Sequence, residues 1–303
     1  MKKWTVFFRT LLGYGAERML GILILLPFLA LGSVDPARDC VPIPESACSA
    51  ELCLLEPAGG YPRPTAWISV PDRPLNRLRI HLHGWTQNPA GQALNPAYDF
   101  SWPDGRTPSA ADTLKMALAY GMHQDVCDPA SGTVLMPLSR GHVDDYRLRF
   151  KLPADFQRWK NAVTARIQPA GTTNRTPVLP WTLSAHSGGG AIAARSIDPD
   201  DFTLERILLL DATYDSTTAG FFKSWIEKGL DPLKPRTLEV FSVTAPTANH
   251  SRAISLTGPA QIDGFTRTVR TPQATLIREI RNDSKFDHYS IVPARWDVNL
   301  RRP

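Results

Sequence analysis

Apolar residues along the chain recur in two patterns, and these alternate from about residue 65 onward. Short runs of large apolar residues, such as those at 78–82 and 207–210, are typical of buried strands. Segments such as 156–167 and 218–228 instead carry apolar residues three and four positions apart, as amphipathic helices do. The predicted strands are 66–70, 78–82, 133–136, 181–184, 207–210, 237–243 and 274–279, and the predicted helices are 112–120, 156–167, 218–228 and one that begins near Ala191.

Strands that are apolar throughout and are separated by helices predict an α/β fold. In such a fold a mostly parallel central sheet is covered by helices on both faces, and residues 65–303 are expected to form it as a single domain. Right-handed crossovers bring the carboxyl ends of parallel strands to one edge, where ligands bind. The residues that follow each strand are therefore the first candidates for a functional site.

Residues 1–32 have the composition of a targeting segment. Four basic residues precede an apolar run at 19–31, which as a helix would reach about 20 Å, short of the roughly 30 Å hydrocarbon core of a bilayer. With Ala30 and Gly32 at the small-residue positions, this pattern predicts a secretory signal peptide that is cleaved after Gly32. A buried helix and an uncleaved anchor are the alternatives. The basic residues are Lys2, Lys3, Arg9 and Arg18.

Cleavage at that position changes the charge of the chain. The formal net charge of +5 falls to about +2, because residues 1–32 hold four basic residues and one acid. A charge this small gives no indication of a nucleic-acid partner. We therefore expect an exported protein, periplasmic or extracellular, that binds no nucleic acid and keeps no stable membrane anchor after cleavage.

All four cysteines follow the predicted cleavage site. An even number in an exported chain favours two disulfides, for which three pairings are possible. Zinc binding is the alternative, but the spacing does not form paired CxxC motifs and no histidine lies near in sequence. Residues 33–64, rich in proline and cysteine, are expected to form an irregular N-terminal arm. The cysteines are Cys40, Cys48, Cys53 and Cys127.

The strongest candidate for chemistry is Ser187, which follows the strand at 181–184. A serine held on a sharp strand-to-helix turn needs small residues two positions before and after it, and Ala185 and Gly189 meet that need. The turn exposes the hydroxyl, and the amides and dipole of the next helix face the oxygen that becomes negative during acyl transfer. The alternative is a serine that caps a helix in a glycine-rich loop.

A second candidate is the turn His81-Leu82-His83-Gly84-Trp85, at the end of the strand at 78–82. A His-Gly turn presents a backbone amide towards the same pocket, so Trp85 and Gly188 are the candidate oxyanion donors. Two histidines on one face of a strand also match a metal pair, although no further ligand near them in sequence completes it. A core histidine in a tight turn is the remaining alternative.

A histidine that acts as a general base needs a carboxylate to orient it, and both types of residue occur late in the chain. Asp211 ends a buried strand and is the first choice, with Asp215 second and a helix-capping role as the alternative. His288 is the first choice of base, because a histidine after the last strand reaches back over the nucleophile. His250 is the rival, while His142 comes too early and at most lines the cleft. An ordinary surface histidine is the alternative for each.

Together these elements resemble the α/β-hydrolase fold superfamily. The His-Gly turn, the serine turn, the aspartate and the histidine follow in that order between residues 66 and 292. The resemblance implies that Ser187 is the nucleophile, His288 the base and Asp211 the orienting acid. It also implies that the backbone amides of Trp85 and Gly188 form the oxyanion hole.

Two features depart from the family pattern. Ala185 replaces the usual first glycine of the serine turn, as occurs in lipase-like relatives. Asp211 follows the strand before the one that carries the acid in most of the superfamily, an arrangement similar to that of pancreatic-type lipases. The second departure leaves the acid open between Asp211 and Asp215.

The resemblance implies a lipase-like or esterase-like serine hydrolase that cleaves a carboxylic ester through an acyl-enzyme, with no cofactor and no metal. The same three residues serve an amidase or a peptidase, so an amide is the alternative small-molecule substrate. A noncatalytic binding protein is the alternative of a different class. The loop at 86–110 carries Tyr98, Phe100 and Trp102, and is a candidate apolar surface for an acyl group or a lid.

Overall fold

The computed structural model describes residues 39–44, 46–84, 108–124, 126–139, 144–168, 178–229, 235–281 and 287–300. All of these belong to one compact unit. The predicted signal peptide, Trp85, the three aromatic residues of the following loop and His142 lie outside the described residues.

Eleven strands of the described chain form one sheet, in the order β1-β2-β3-β5-β4-β6-β7-β8-β11-β10-β9. The strands are β1 (Asp39–Pro42), β2 (Glu51–Leu55), β3 (Thr65–Ser69), β4 (Leu78–Leu82), β5 (Thr133–Pro137), β6 (Trp181–His186), β7 (Leu204–Leu210), β8 (Arg236–Ser242), β9 (Ala260–Asp263), β10 (Thr266–Arg270) and β11 (Ala274–Ile280). The helices are α1 (Ala110–Ala119), α2 (Asp144–Arg149), α3 (Pro153–Ile167), α4 (Gly189–Ser196), α5 (Ser216–Lys228), α6 (Ala245–Ser251) and α7 (Ile291–Leu300). Each predicted strand and helix is present within a few residues of its expected bounds.

The prediction of a mostly parallel sheet is not confirmed, because the sheet is mixed. Its six central strands, β5, β4, β6, β7, β8 and β11, run parallel. Antiparallel strands extend it at both ends, with β1, β2 and β3 on one side and β10 and β9 on the other. Since β1 and β2 fall within residues 33–64, the expectation that this whole segment is irregular is wrong.

Strand β7 shows why the central strands read as continuous apolar runs. Ile207 and Leu209 pack into a core on one side of the sheet, while Leu208 and Leu210 pack into a second core on the other side. Successive side chains of a strand point to opposite faces, so a strand covered on both faces needs an apolar residue at every position. The carboxyl end of β7 thereby lies inside the molecule, and Asp211 follows it there with its side chain fully buried.

Several helices begin where the sequence offers a cap or a favourable first residue. Ser109 and Asp112 form a reciprocal capping box at the start of α1. The first residue of α3 is Pro153. Proline has no backbone N–H, and this costs no hydrogen bond here because N–H groups in the first turn of a helix have no acceptor within the helix. Asp215 caps α5, because its carboxylate accepts a 2.7 Å hydrogen bond from the amide of Thr218.

Two disulfides are present, as the even number of cysteines predicts. Cys40–Cys53 joins directly paired residues of β1 and β2, and Cys48–Cys127 ties the connection between those strands to the segment after α1. Both Cys40 and Cys53 lie near the carboxylate of Glu51, but their sulfurs are consumed in a disulfide and offer no thiolate for zinc. Structural disulfides are typical of proteins in oxidising compartments.

No helix within the described ranges combines the length and the apolar character needed to cross a bilayer.

Candidate active site

Ser187 lies on the sharp turn between β6 and α4. Its backbone has a φ of 53°, in the left-handed region that residues other than glycine adopt rarely and at a cost of about 1 kcal/mol. The amide of Ser187 donates to the carbonyl of Leu210, 3.1 Å away at the end of β7, and the Ser187 carbonyl accepts from Gly190. A strained serine between a parallel strand and a helix is the geometry of a nucleophile elbow.

Glycines surround this turn because neighbouring backbones come very close. A Cβ atom on Gly190 would lie 2.0 Å from the carbonyl oxygen of Ala212, and one on Gly189 would lie 2.4 Å from that of Leu82. Ala185 sits instead in the body of β6, where it is fully buried, so a methyl group is accommodated in place of the more common glycine.

The turn at His83 and Gly84 packs directly against the serine. A Cβ atom on Gly84 would lie 2.2 Å from the Cβ and 2.9 Å from the Oγ of Ser187. Gly188 is the N-cap residue of α4, and its amide has no acceptor among the described residues. Within the described part of the chain, that amide and the positive end of α4 remain available to a developing negative charge beside Ser187. Trp85, the other predicted donor, lies outside the described residues.

Asp211 has its carboxylate in a cage of donors. Its Oδ1 accepts hydrogen bonds from the amides of Val243 (3.0 Å) and Thr244 (3.2 Å) and from the hydroxyl of Thr247. Its Oδ2 lies 2.7 Å from Nδ1 of His288. Burial by itself raises the pKa of Asp211, but the hydrogen bonds from His288, Thr247 and Val243 outweigh burial and lower the pKa to about 2. The carboxylate is ionised at any physiological pH.

His288 is oriented by that carboxylate. An ionised carboxylate only accepts hydrogen bonds, so Nδ1 of His288 carries the proton and Nε2 is the basic nitrogen. The carbonyl of His288 accepts a 2.7 Å hydrogen bond from Nε2 of His186, the residue before Ser187, and the two imidazole rings are 4.6 Å apart. The structure therefore brings the Asp211–His288 pair to the serine turn. A hydrogen bond between Ser187 Oγ and His288 is not among the contacts of the described residues.

The alternative candidates for the acid and the base are not brought to the serine turn by any contact of the described residues. Asp215 caps α5 through both carboxylate oxygens, so the capping role considered for Asp211 belongs to Asp215. His250 lies near the end of α6, and no contact of the described residues joins its ring to Ser187 or to either aspartate. His142 lies outside the described residues.

His81 and His83 are buried, as core histidines are. Nδ1 of His81 lies 2.8 Å from the hydroxyl of Ser184. His83 lies between the Gly84 carbonyl, 2.8 Å from its Nδ1, and the Ser139 hydroxyl, 3.0 Å from its Nε2. These contacts engage ring nitrogens of both histidines, which favours the core role over the metal pair considered from the sequence.

Tyr214 and His186 also belong to the site, although motif reasoning did not single them out. The Tyr214 hydroxyl lies 3.4 Å from Nδ1 of His288 and interacts with the side chain of Ser187. Burial, and then the charge of Asp211, raises the pKa of Tyr214 to about 12, so this phenol stays protonated. Burial, and then His288, lowers the pKa of His186 to about 3, so its ring stays neutral while Nε2–H donates. The only signal for them in the sequence is their proximity to the candidates: His186 directly precedes Ser187, and Tyr214 lies three residues after Asp211.

Gly84 offers a test of the packing against the serine. Gly84→Ala is expected to displace the Ser187 side chain and slow its reaction with a fluorophosphonate about 100-fold, because misplacement of a reacting group by an ångström costs about that much. The measurement is the second-order labelling rate. The matched control is Gly220→Ala in α5, where a Cβ meets nothing within 4 Å. It is expected to leave the rate unchanged and to raise stability by up to about 1 kcal/mol. Equal rates for both variants would contradict the packing argument.

No protein-family model matches the chain, and no curated protein matches it. Three solved structures illustrate what it is similar to. A bacterial esterase of the hormone-sensitive lipase family is 12% identical, with a TM-score of 0.38, covering 83% of this chain and 80% of that one. A dienelactone hydrolase from Anabaena variabilis is 10% identical, with a TM-score of 0.39, covering 80% and 94%. An acylaminoacyl peptidase from Pyrococcus horikoshii is 11% identical, with a TM-score of 0.37, covering 82% and 38%.

The described residues have the α/β architecture and the strand–serine–helix turn that the sequence predicts. A parallel central sheet segment is covered by helices on both faces, with a strained serine between β6 and α4 at its carboxyl edge. Ser187, Asp211 and His288 follow in the chain order found in α/β-hydrolases. Likenesses as distant as those three add no evidence about the reaction, so any function has to be argued from the site itself.

Proposed function

We propose that this protein is a serine hydrolase that cleaves a carboxylic ester through an acyl-enzyme, with Ser187, His288 and Asp211 as its catalytic triad. One observation carries the proposal. Ser187 is held in a left-handed conformation at the carboxyl edge of the sheet, and an ionised carboxylate–histidine pair is packed against the same turn. A strained nucleophile turn beside an oriented imidazole is what acyl transfer needs, and a purely structural serine needs neither.

The roles follow from the hydrogen bonds. With its Nδ1 proton held by Asp211, His288 accepts the hydroxyl proton of Ser187 at Nε2 while Oγ forms a bond to the carbonyl carbon of the ester. The amide of Gly188, together with that of Trp85, stabilises the negative oxygen of the tetrahedral intermediate. His288 then returns the proton to the departing alcohol, and water releases the acid by the same steps in reverse.

Asp211 stabilises the positive imidazolium that forms in each step. Its pKa of about 2 means that it stays ionised and does not itself take the proton. Four donors besides His288 hold the carboxylate in place: the amides of Val243 and Thr244 and the hydroxyls of Thr244 and Thr247. Because the Asp211 carboxylate is itself held in place, it keeps the imidazole of His288 in one orientation while the proton moves between Ser187 and His288.

We further propose that the protein works outside the cytoplasm. The predicted signal peptide, cleaved after Gly32, would direct it there, and an oxidising compartment would allow its two disulfides to form. In the chain-entropy description, the disulfide with a sequence separation of 79 adds about 4 kcal/mol of stability and the one with a separation of 13 about 3 kcal/mol. The N-terminal sequence of the mature protein, with Ser33 first, would support this proposal.

The proposal is tested by treating the purified protein with a fluorophosphonate probe and mapping the modified peptide. We expect one label, on Ser187, which is lost in His288→Ala because the hydroxyl is then no longer activated. A panel of esters and amides follows, with esters expected to be turned over. Turnover of amides alone would replace the esterase with an amidase or peptidase. A folded protein that takes no label and turns over nothing would favour a binding protein and overturn the proposal.

A further inference from the structure

His186 is the last residue of β6 and directly precedes Ser187, but the proposed reaction gives it no step. Its side chain is fully buried, on the same side of the sheet as that of Leu210, its partner across β6 and β7. Burial, and then His288, lowers the pKa of His186 to about 3, so the buried ring is neutral. A buried polar ring costs free energy unless its nitrogens find partners, so its contacts indicate its role.

The imidazole of His186 makes a short hydrogen bond to the backbone of the candidate base. The acceptor is the carbonyl of His288, 2.7 Å away, and because a carbonyl only accepts, Nε2 of His186 carries the proton. Nδ1 of His186 is buried and has no partner in the described part of the chain. An apolar residue would fill the same position without an unpaired nitrogen. The bond to His288 is therefore the contact that favours a histidine here.

Three aromatic neighbours hold the His186 ring in place. Its centroid lies 4.6 Å from that of His288, with the two planes inclined by 36°. The rings of Tyr120 and Tyr289 meet it edge-on, at 5.9 Å and 5.8 Å. Tyr120 is the C-cap residue of α1 and is itself fully buried. Because close-packed rings keep one rotamer, His186 presents its N–H in a fixed direction.

Two contacts fix His288, one at its ring and one at its backbone. Nδ1 of the ring lies 2.7 Å from Oδ2 of Asp211, and the backbone carbonyl accepts from His186. A single hydrogen bond sets a distance but lets the ring pivot about it, and a second contact at the backbone removes that freedom. The described contacts include no hydrogen bond between Ser187 Oγ and His288. The distance between these two residues therefore depends on the groups that hold each of them.

We propose that His186 is a positioning residue, whose Nε2–H holds the backbone of His288 at a fixed distance from Ser187. One peptide bond joins His186 to Ser187, so the nucleophile and the base share one support. Because His186 is fully buried, it touches no substrate and acts only through His288. A charged residue at this position would oppose the imidazolium that forms on His288 in each step, and a neutral ring does not. The inference rests on the proposed function for the roles of Ser187 and His288.

The test compares His186→Met with His186→Gln. Methionine adapts to the shape of a packed site and is about as long as glutamine, but it has no N–H, whereas glutamine has one at about the reach of the histidine Nε2. We expect His186→Met to lower kcat and the rate of fluorophosphonate labelling about 100-fold, because misplacement of a reacting group by an ångström costs about that much. KM should stay unchanged, since no substrate contact is lost. His186→Gln should recover most of both losses.

A second measurement does not depend on turnover. In protein that contains isotope-labelled histidine, NMR measures how fast the Nδ1 proton of His288 exchanges with water. That proton is held between His288 and Asp211, so its exchange requires the pair to open. We expect exchange to be about tenfold faster in His186→Met than in the wild type, because the backbone of His288 is no longer held. His186→Gln should exchange at nearly the wild-type rate.

Thr65→Val controls for the general loss of a buried hydrogen bond. The Thr65 hydroxyl accepts a 3.0 Å hydrogen bond from the indole N–H of Trp159, in the core on the other side of the sheet. This variant is expected to be less stable than the wild type, with kcat, labelling and proton exchange unchanged. His186→Leu also lacks a donor, and it takes the place of His186→Met if circular dichroism shows that the methionine variant does not fold.

Three results would overturn the inference. The first is a labelling rate in His186→Met equal to that of the wild type. The second is an equal loss in His186→Met and His186→Gln, which would assign the effect to the shape of the ring and not to its N–H. The third is unchanged exchange of the His288 Nδ1 proton in His186→Met. A wild type that takes no label and turns over nothing would refute the proposed hydrolase, and the exchange measurement would still decide whether His186 holds His288.

Discussion

Replacing Ser187 with alanine is expected to lower kcat for the best ester of the panel by about 10⁵- to 10⁶-fold and to abolish fluorophosphonate labelling. In the proposed mechanism the Ser187 hydroxyl oxygen forms the bond to the acyl group, and alanine offers no atom that could replace it. What remains is substrate binding and the Gly188 amide, which stabilise the attack of water only weakly. The measurement is steady-state turnover, with circular dichroism to show that the fold is kept.

Ser184 provides the matched control for that substitution. It lies in β6, three residues before Ser187, and its hydroxyl lies 2.8 Å from Nδ1 of His81. Ser184→Ala is expected to cost about 1 kcal/mol of stability and to leave turnover within a few-fold of the wild type. If Ser187→Ala stayed within tenfold of the wild-type kcat, the chemistry would have to lie on another residue.

The central part of this fold could be predicted because burial dictates its sequence pattern. Ile207 to Leu210 face two separate cores in alternation, so β7 reads as an unbroken apolar run that only a doubly covered strand requires. The helix α5 likewise places Phe222, Trp225 and Ile226 on one buried stripe. In both elements the local pattern and the tertiary environment demand the same residues.

The four outermost strands of the sheet, β1, β2, β9 and β10, carry no such pattern. Strand β9 is exposed at every position, and β10 buries only Val269, so neither shows alternation of apolar and polar residues. Strands β1 and β2 are short, and the disulfide Cys40–Cys53 joins them covalently where other strand pairs rely on apolar side-chain contacts. These strands exist because neighbouring strands offer hydrogen bonds, and a pattern search along one segment does not detect that.

Candidate residues could be proposed from the sequence where a local motif marks them, and Tyr214 and His186, which no motif marks, were not proposed. Ser187 could be identified because a tight turn demands small neighbours in sequence. The sequence ranks Asp211 before Asp215 but leaves both open, and the structure shows Asp211 facing His288 and Asp215 capping α5. The Tyr214 hydroxyl meets His288 across a separation of 74 residues, which no local motif encodes.

Asp211→Asn is expected to lower kcat about 10⁴-fold while the protein stays folded. The asparagine oxygen still accepts from the amides of Val243 and Thr244, so the turn after β7 keeps its contacts. The amide nitrogen, however, then faces Nδ1 of His288 as a donor. It favours the tautomer with the proton on Nε2, which can no longer take a proton from Ser187. Asp215→Asn is the matched control, and it is expected to leave kcat unchanged because asparagine caps helices as well as aspartate does.

The dependence of stability on pH gives a second test that distinguishes Asp211 from Asp215 as the orienting acid. Because folding lowers the pKa of Asp211 from its ordinary 3.8 to about 2, its ionised form stabilises the folded state by about 2 kcal/mol above pH 4. That contribution is lost as the pH falls from about 4 through 2, where the folded and unfolded forms both bind the proton. In urea unfolding, Asp211→Asn should therefore be less stable than the wild type at pH 7, and the difference should shrink towards pH 3. A difference that is as large at pH 3 as at pH 7, or a loss of turnover in Asp215→Asn, would transfer the role of orienting acid away from Asp211.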